Sequence, residues 1–217
     1  MYINGLGERD IKNAADTDTL SAISFDREGM HLAVGDKGGR VIIFHHVELK
    51  SSRYFDYRYF SEFQSHEPEF DHLKSVELSE KINCLTFLHS SGGPGLKLLS
   101  TNDKVIKFWK IGSRTYRDVQ PAKVQGQQIL MPKSQVFNVN VEGKSKQQFK
   151  NCHNYNIHSL SISSDREHFI SADDLTINLW NMENNWAAYN LVDIKPSETG
   201  DLSEIITYAE FNPNHSD

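Results

Sequence analysis

The side chains best suited to chemistry in this 217-residue chain are ten histidines, two cysteines and the carboxylate doublet Asp173-Asp174. Cys152 adjoins His153, and His158 follows five positions later, a grouping that raises the question of zinc. Residues five apart on a strand point to opposite faces, so loop or core histidines fit the pattern better than ligands. No His-Glu-x-x-His set and no Cys-x-x-Cys pair occurs. Gly143-Lys144-Ser145 imitates the end of a phosphate-binding loop, but Asn138 stands where its leading glycine belongs. Gly5-x-Gly7 lacks the third glycine and the preceding strand of a dinucleotide site. Asp173 and Asp174 would suit acid–base work, yet they lie in a strand–turn–strand unit where an aspartate fixes the turn through backbone hydrogen bonds. One of them is explained that way. The other is open to a turn role or to pairing with a basic ligand. The sequence therefore predicts no catalytic residue, no metal site and no cofactor.

The elements that position these residues repeat. Gly35-Asp36-Lys37-Gly38-Gly39-Arg40-Val41-Ile42-Ile43-Phe44, Ser100-Thr101-Asn102-Asp103-Lys104-Val105-Ile106-Lys107-Phe108-Trp109 and Ser171-Ala172-Asp173-Asp174-Leu175-Thr176-Ile177-Asn178-Leu179-Trp180 share one pattern. Each reads as strand, turn, strand, with an aromatic six positions after Gly38, Asp103 and Asp174. Val41 and Ile43, Ile106 and Phe108, and Ile177 and Leu179 fall on a core face, with Lys107 and Asn178 on the outer face of a strand buried on one side. Short apolar runs at 20–25, 82–87 and 157–162 read as inner strands, and a fourth at 205–211 opens another unit. Helix should be scarce, 71–80 being the nearest candidate in competition with a strand.

The closing aromatics lie 65 and 71 residues apart, against about 40–45 for a bare propeller repeat. The surplus falls at 47–80, 111–152 and 182–204 and should project from one rim. The expected architecture is all-β: an incomplete WD-repeat β-propeller of about three blades plus the first strand of a fourth. Blade units are expected at about 19–46, 81–111 and 153–182, with the next starting at 205–217, after a poorly ordered segment 1–18. Such an arc cannot close into a ring of four to eight blades alone.

Charge is uneven. Residues 61–80 carry net −5, 104–150 net +8 and 183–217 net −6, within an overall −6. That layout points to charged partner surfaces rather than a general nucleic-acid coat. No run of about eighteen apolar residues is present, and Met1-Tyr2-Ile3-Asn4-Gly5 does not read as a secretion signal, so neither membrane insertion nor export is expected. Two cysteines are too few for a disulfide framework and point to a reducing compartment.

Glu62-Phe63-Gln64-Ser65-His66-Glu67-Pro68-Glu69-Phe70-Asp71-His72-Leu73-Lys74-Ser75 resembles the B-family (PR-type) regulatory subunit of protein phosphatase 2A. The resemblance runs through Glu80-Lys81-Ile82-Asn83, Leu99-Ser100-Thr101-Asn102-Asp103-Lys104, Ser171-Ala172-Asp173-Asp174-Leu175 and Val192-Asp193-Ile194-Lys195-Pro196, spanning about 20–211. It covers the N-terminal half of that family. It implies a non-catalytic propeller that docks on the scaffold (A) subunit, next to the catalytic (C) subunit, and recruits phosphoserine and phosphothreonine substrates with basic flanks. It also implies a substrate groove of Lys37, Phe70, Leu73, Tyr155, Asp173, Asp174 and Leu202, and a scaffold-gripping arm containing Val136, Phe137, Val139 and Val141. Asn156, Gly200 and Ser79 depart from the family at the groove. The implied location is cytoplasmic, with the nucleus as a second site. Two alternatives remain: an adaptor that holds nucleic acid through the basic 104–150 block, and an inactive truncated product.

Overall fold

The computed structural model describes residues 14–48, 55–72, 75–88, 95–119, 123–125, 128–130, 134–150, 152–182, 187–196 and 204–213. At 55, 114–119, 123–125, 128–130 and 134–140 the description is of backbone alone. Three four-stranded antiparallel sheets dominate. The first contains β1 (Leu20–Phe25), β2 (His31–Asp36), β3 (Arg40–Glu48) and β4 (Phe55–Gln64) in that order. A small hairpin follows, β5 (Glu69–Asp71) on β6 (Val76–Leu78).

The second sheet runs from β7 (Cys84–Leu88) through β8 (Leu96–Thr101) and β9 (Ile106–Val119). The strands β10 (Lys123–Gln125) and β11 (Gln128–Leu130) pair with each other before β12 (Ser134–Phe149) closes the sheet on β9. The third is β13 (Ser159–Ile162), β14 (His168–Ala172), β15 (Thr176–Asn181) and β16 (Ala187–Asp193).

Both faces of the middle sheet are buried, because sheets stack as blades. Val41 and Ile43 of the first blade meet Ile82, Leu85, Leu98 and Trp109 of the second. On the opposite side Leu99, Ile106 and Phe149 meet Ile157, Phe169 and Trp180 of the third. Phe169 and Trp180 are cross-strand partners whose rings stack at 5.6 Å, with Phe149 tilted onto the indole at 4.8 Å. Lys107 and Asn178 are therefore not on a solvent face, as alternation alone suggested. They face the preceding blade, where Lys107 Nζ donates to Ser65 O at 2.9 Å and Asn178 Nδ2 to Cys152 O at 2.9 Å. A buried strand surface requires such pairing of every polar group.

A second correction concerns the surplus segments. Outer strands β4, β12 and β16 lie within 47–80, 111–152 and 182–204, so each surplus carries the chain back across its blade. It cannot project from one rim alone. Residues 71–80 contain strand β6 rather than helix, and the only helical turn among the described residues is a 3-10 turn at Asp16–Asp18. That turn, expected in a loosely ordered leader, is fastened to the β2–β3 turn by Lys37 N to Thr19 O and Gly38 N to Thr17 O, both 2.9 Å.

Residues 204–213 cross the free face of the third blade, burying Ala209 against Ile170 and Ala172. They take no strand assignment, having no neighbouring strand of their own sheet among the described residues. The first blade leaves Leu20, Ile23, Phe25 and Tyr59 exposed on its opposite face. The stack is an open arc.

Candidate binding surface

Antiparallel order places the connections between elements at two opposite ends. One end collects the β2–β3, β8–β9 and β14–β15 turns with the segments entering β7, β13 and 204–213. The same backbone bond recurs at each junction: Ile82 N to Asp36 O (3.1 Å), Ile157 N to Asp103 O (2.9 Å) and Ile206 N to Asp174 O (2.8 Å). Lys37, Phe70, Tyr155, Asp173 and Asp174 all lie at this end. Leu73 and Leu202 lie outside the described residues.

Phe70 stands half-exposed on β5 with its ring edge-on to His72 at 5.0 Å. Beside it opens a cleft of about 530 Å³, whose apolar wall is Phe70, Val76, Leu78 and Val105 and whose rim includes Lys104 and Asn156. Lys150 crosses the rim to Glu69 at 2.9 Å. On the other side of the hairpin a cleft of about 540 Å³ presents Glu69, Glu77 and Glu80 and, among the described residues, no basic one. Sequence reading missed this division, because the apolar wall joins β5 and β6 to the distant β8–β9 turn. Lys37 reaches Asp16 at 3.0 Å in an exposed ion pair, and such pairs contribute little and exchange easily. Tyr155 is 42% exposed and donates its backbone N–H to Asp173.

The aspartate doublet splits. Asp173 is fully buried, and its oxygens accept from Leu175 N, Thr176 N, Thr176 Oγ1 and His153. Burial alone would raise its carboxyl, but these donors outweigh it and hold the group at about 2. Asp173 is thus removed from the groove surface: it has no access to a ligand and fixes the turn instead. Asp174 is half-buried, and among the described residues only its backbone carbonyl is engaged, by Ile206 N.

Behind Asp173 lies a relay that sequence reading also missed. Trp180 Nε1 donates to Ser171 Oγ (2.8 Å), Ser171 to His153 Nε2 (2.7 Å), and His153 Nδ1 to Asp173 (3.0 Å). The connectivity is that of a Ser-His-Asp triad, but Ser171 is wholly buried and its oxygen is capped by the indole. Its effect is to join two blades. His158 turns instead to Ser159 at 2.6 Å, so the two histidines do not converge. Between the first and second blades a comparable chain runs from Trp109 through Ser100, Ser65 and His66 to the carbonyl of Val105. The carbonyl can only accept, so His66 carries its proton on Nε2.

At the opposite end β9 and β12 continue past the sheet as a long hairpin, paired from Ile106 and Phe149 out to Val119 and Ser134. Val136, Phe137, Val139 and Val141 all lie on β12, with a bulge between Phe137 and Val139. Val141 packs against the core between the first two blades, at the foot of the hairpin.

Stacked four-stranded antiparallel sheets, locked through buried indole–serine–histidine relays and carrying their inner hairpin turns at one end, define a WD-repeat β-propeller, here an incomplete one. The WD domain, G-beta repeat family matches residues 143–181. Over 94% of its length the chain is 42% identical to the protein phosphatase PP2A regulatory B subunit of Candida tropicalis, covering 42% of that protein. It is 41% identical over 98% of its length to the beta isoform of the 55 kDa regulatory B subunit of serine/threonine-protein phosphatase 2A from Sus scrofa, covering 51% of it. The PP2A regulatory B subunit of Schizosaccharomyces pombe is 41% identical, with 94% of this chain and 46% of that one covered. Among solved structures, the β-propeller domain of Myceliophteria thermophila Cps50 (Swd1) aligns with a TM-score of 0.48 at 16% identity, over 89% of this chain and 47% of that one. By sequence, then, the chain is a relative of the PP2A regulatory B subunits and spans about half their length.

Proposed function

We infer that this chain is a non-catalytic regulatory component of a protein phosphatase 2A assembly, docking on the scaffold subunit near the catalytic subunit and recruiting phosphoprotein substrates with basic flanks. The observation that carries the reading is about 41% identity to named regulatory B subunits along nearly the whole chain. The turn-bearing end supplies a surface suited to the task. Asp174 and the Glu69, Glu77 and Glu80 cleft offer carboxylates for substrate lysine or arginine, with Phe70 and Tyr155 as apolar contacts and Lys37 at the margin. Leu73 and Leu202 complete the proposed groove. The β9–β12 hairpin, including Val136, Phe137 and Val139, is the proposed scaffold contact, and the expected location is cytoplasmic and nuclear.

The test is reconstitution. Purified chain mixed with scaffold and catalytic subunits should co-elute with them, and a phosphopeptide with lysines or arginines near its phosphorylated residue should bind more weakly to Asp174→Asn. Absence of co-elution defeats the assembly reading; unchanged peptide binding defeats the groove.

A further inference from the structure

Like charges set directly across a sheet repel, and folds normally avoid them. The second blade contains a row of three. Lys97 on β8 is the cross-strand partner of Lys110 on β9, and Lys110 is the partner of Lys144 on β12. Directly opposed residues project from the same side of a sheet, so three ammonium groups emerge in a line about 10 Å long at ordinary strand spacing. Lys146, at the bulge in β12, joins Lys110 and Lys144 around a cleft of about 360 Å³, where Glu142 is the single acid. None of these four lysines has a carboxylate partner among the described residues.

The floor beside the row is bare. Gly95 and Gly112 line the next rung on the same face, and a side chain at Gly95, where φ is +110°, would come within 2.7 Å of the Ile111 carbonyl. A shelf of exposed backbone thus borders a line of unneutralised cations, where a partner chain can approach closely. The row sits at the foot of the long hairpin, at the end away from the acidic clefts.

We propose that the Lys97–Lys110–Lys144 row, with Lys146, is a docking site for a carboxylate-rich protein segment. The inference does not depend on the phosphatase reading. Three features favour carboxylates of a protein over a phosphate backbone. The row is only three charges long, no aromatic residue among the described residues lines the cleft for base stacking, and the chain as a whole carries −6, which repels an extended polyanion. Acidic side chains three and four apart on a helix are about 5–6 Å apart, close to the strand spacing that separates the lysines.

The experiment uses the full chain with two probes at low ionic strength: a glutamate-rich helical peptide and a single-stranded oligonucleotide of equal charge. The peptide should bind the wild type, and K97Q/K110Q/K144Q should lose at least tenfold in affinity, while arginine at all three positions retains it. The glutamine variant should also unfold at higher urea than the wild type, because the repulsion is gone. Equal peptide affinity in the glutamine variant, or tighter binding of the oligonucleotide than of the peptide, overturns the proposal. So does a glutamine variant that unfolds at lower urea, since the row would then be a structural feature.

Discussion

Lowering the pH from 7 to 5 should loosen the joint between the first two blades, and His66 is the reason. Burial and then the neighbouring Lys107 charge push its imidazole from an ordinary 6.5 down to about 3, against a smaller opposing contribution from the Val105 carbonyl. Its Nδ1 accepts from Ser65, so a second proton would also break the relay to Trp109. The folded value lies below the unfolded one. Stability from His66 is therefore fully present above pH 6.5 and is lost as pH falls toward 3, where the folded form itself protonates. At pH 5 the unfolded chain has gained a proton that the folded chain refuses, a difference of about 1.5 units or about 2 kcal/mol. His153, depressed by its own burial, adds in the same direction. Urea unfolding followed by the fluorescence of the buried Trp109 and Trp180 gives the measurement, at pH 7, 6 and 5, for wild type and His66→Asn. The variant should be less stable at pH 7 but should lose about 2 kcal/mol less between pH 7 and 5. Equal pH slopes in the two proteins would refute the reasoning, since the imidazole would then titrate alike folded and unfolded.

Other perturbations separate the joints from the surface. Ser171→Ala strips buried partners from both Trp180 and His153 and should cost about 1–3 kcal/mol by the same urea assay. Phe169→Ala opens a cavity between the second and third blades, with an expected loss of about 3–5 kcal/mol. Gly39→Ala meets both a φ of +80° and the His66 carbonyl in its path, so it should lower stability by more than about 2 kcal/mol. Asp173→Asn should lower the melting temperature by several degrees, whereas Asp174→Asn should leave it within about one degree.

The repeat was legible because its signal is local: an aspartate or asparagine at a tight turn, then alternation, then an aromatic at fixed distance. Val41, Ile43, Ile106 and Phe108 lie on the core face their spacing implies. What spacing could not convey is that the other face is buried too. Lys107 looks like a solvent residue until a neighbouring blade supplies the Ser65 carbonyl, 42 positions away, that accepts its hydrogen bond. Outer strands were hidden for a related reason. β4 and β16 are rich in polar and half-exposed residues, and partly exposed edges carry weak alternation. At the turn-bearing end the individual residues were readable, but the cleft beside Phe70 was not, because its walls come from segments more than 25 positions apart.

The neighbouring aspartates show why such a fold can hold its shape while its surface changes. Asp173 accepts from five groups and sits under a relay that reaches Trp180, so replacing it disturbs the joint between blades. One residue later, Asp174 commits only its backbone carbonyl among the described residues, and its carboxylate takes no hydrogen bond from the turn. The same division recurs in the second blade. There Asn102 holds the turn by accepting from Lys104 N and Val105 N, and Asp103 is the residue beyond it. Asp103, however, accepts from Asn83 Nδ2 at 2.8 Å, which ties its carboxylate to the entry of the inner strand of its own blade. The third blade has His158 at the position corresponding to Asn83: each donates its backbone N–H across its own blade, Asn83 to Thr101 O and His158 to Ala172 O, but the imidazole turns to Ser159 Oγ at 2.6 Å instead of to the turn. Among the described residues the Asp174 carboxylate thus lacks the tie that Asp103 has, because of what stands at 158. His158→Asn should rebuild the tie, leave urea stability equal or higher, and weaken any basic peptide that Asp174 holds; a variant that binds such a peptide as before would show that the side chain is not the contact.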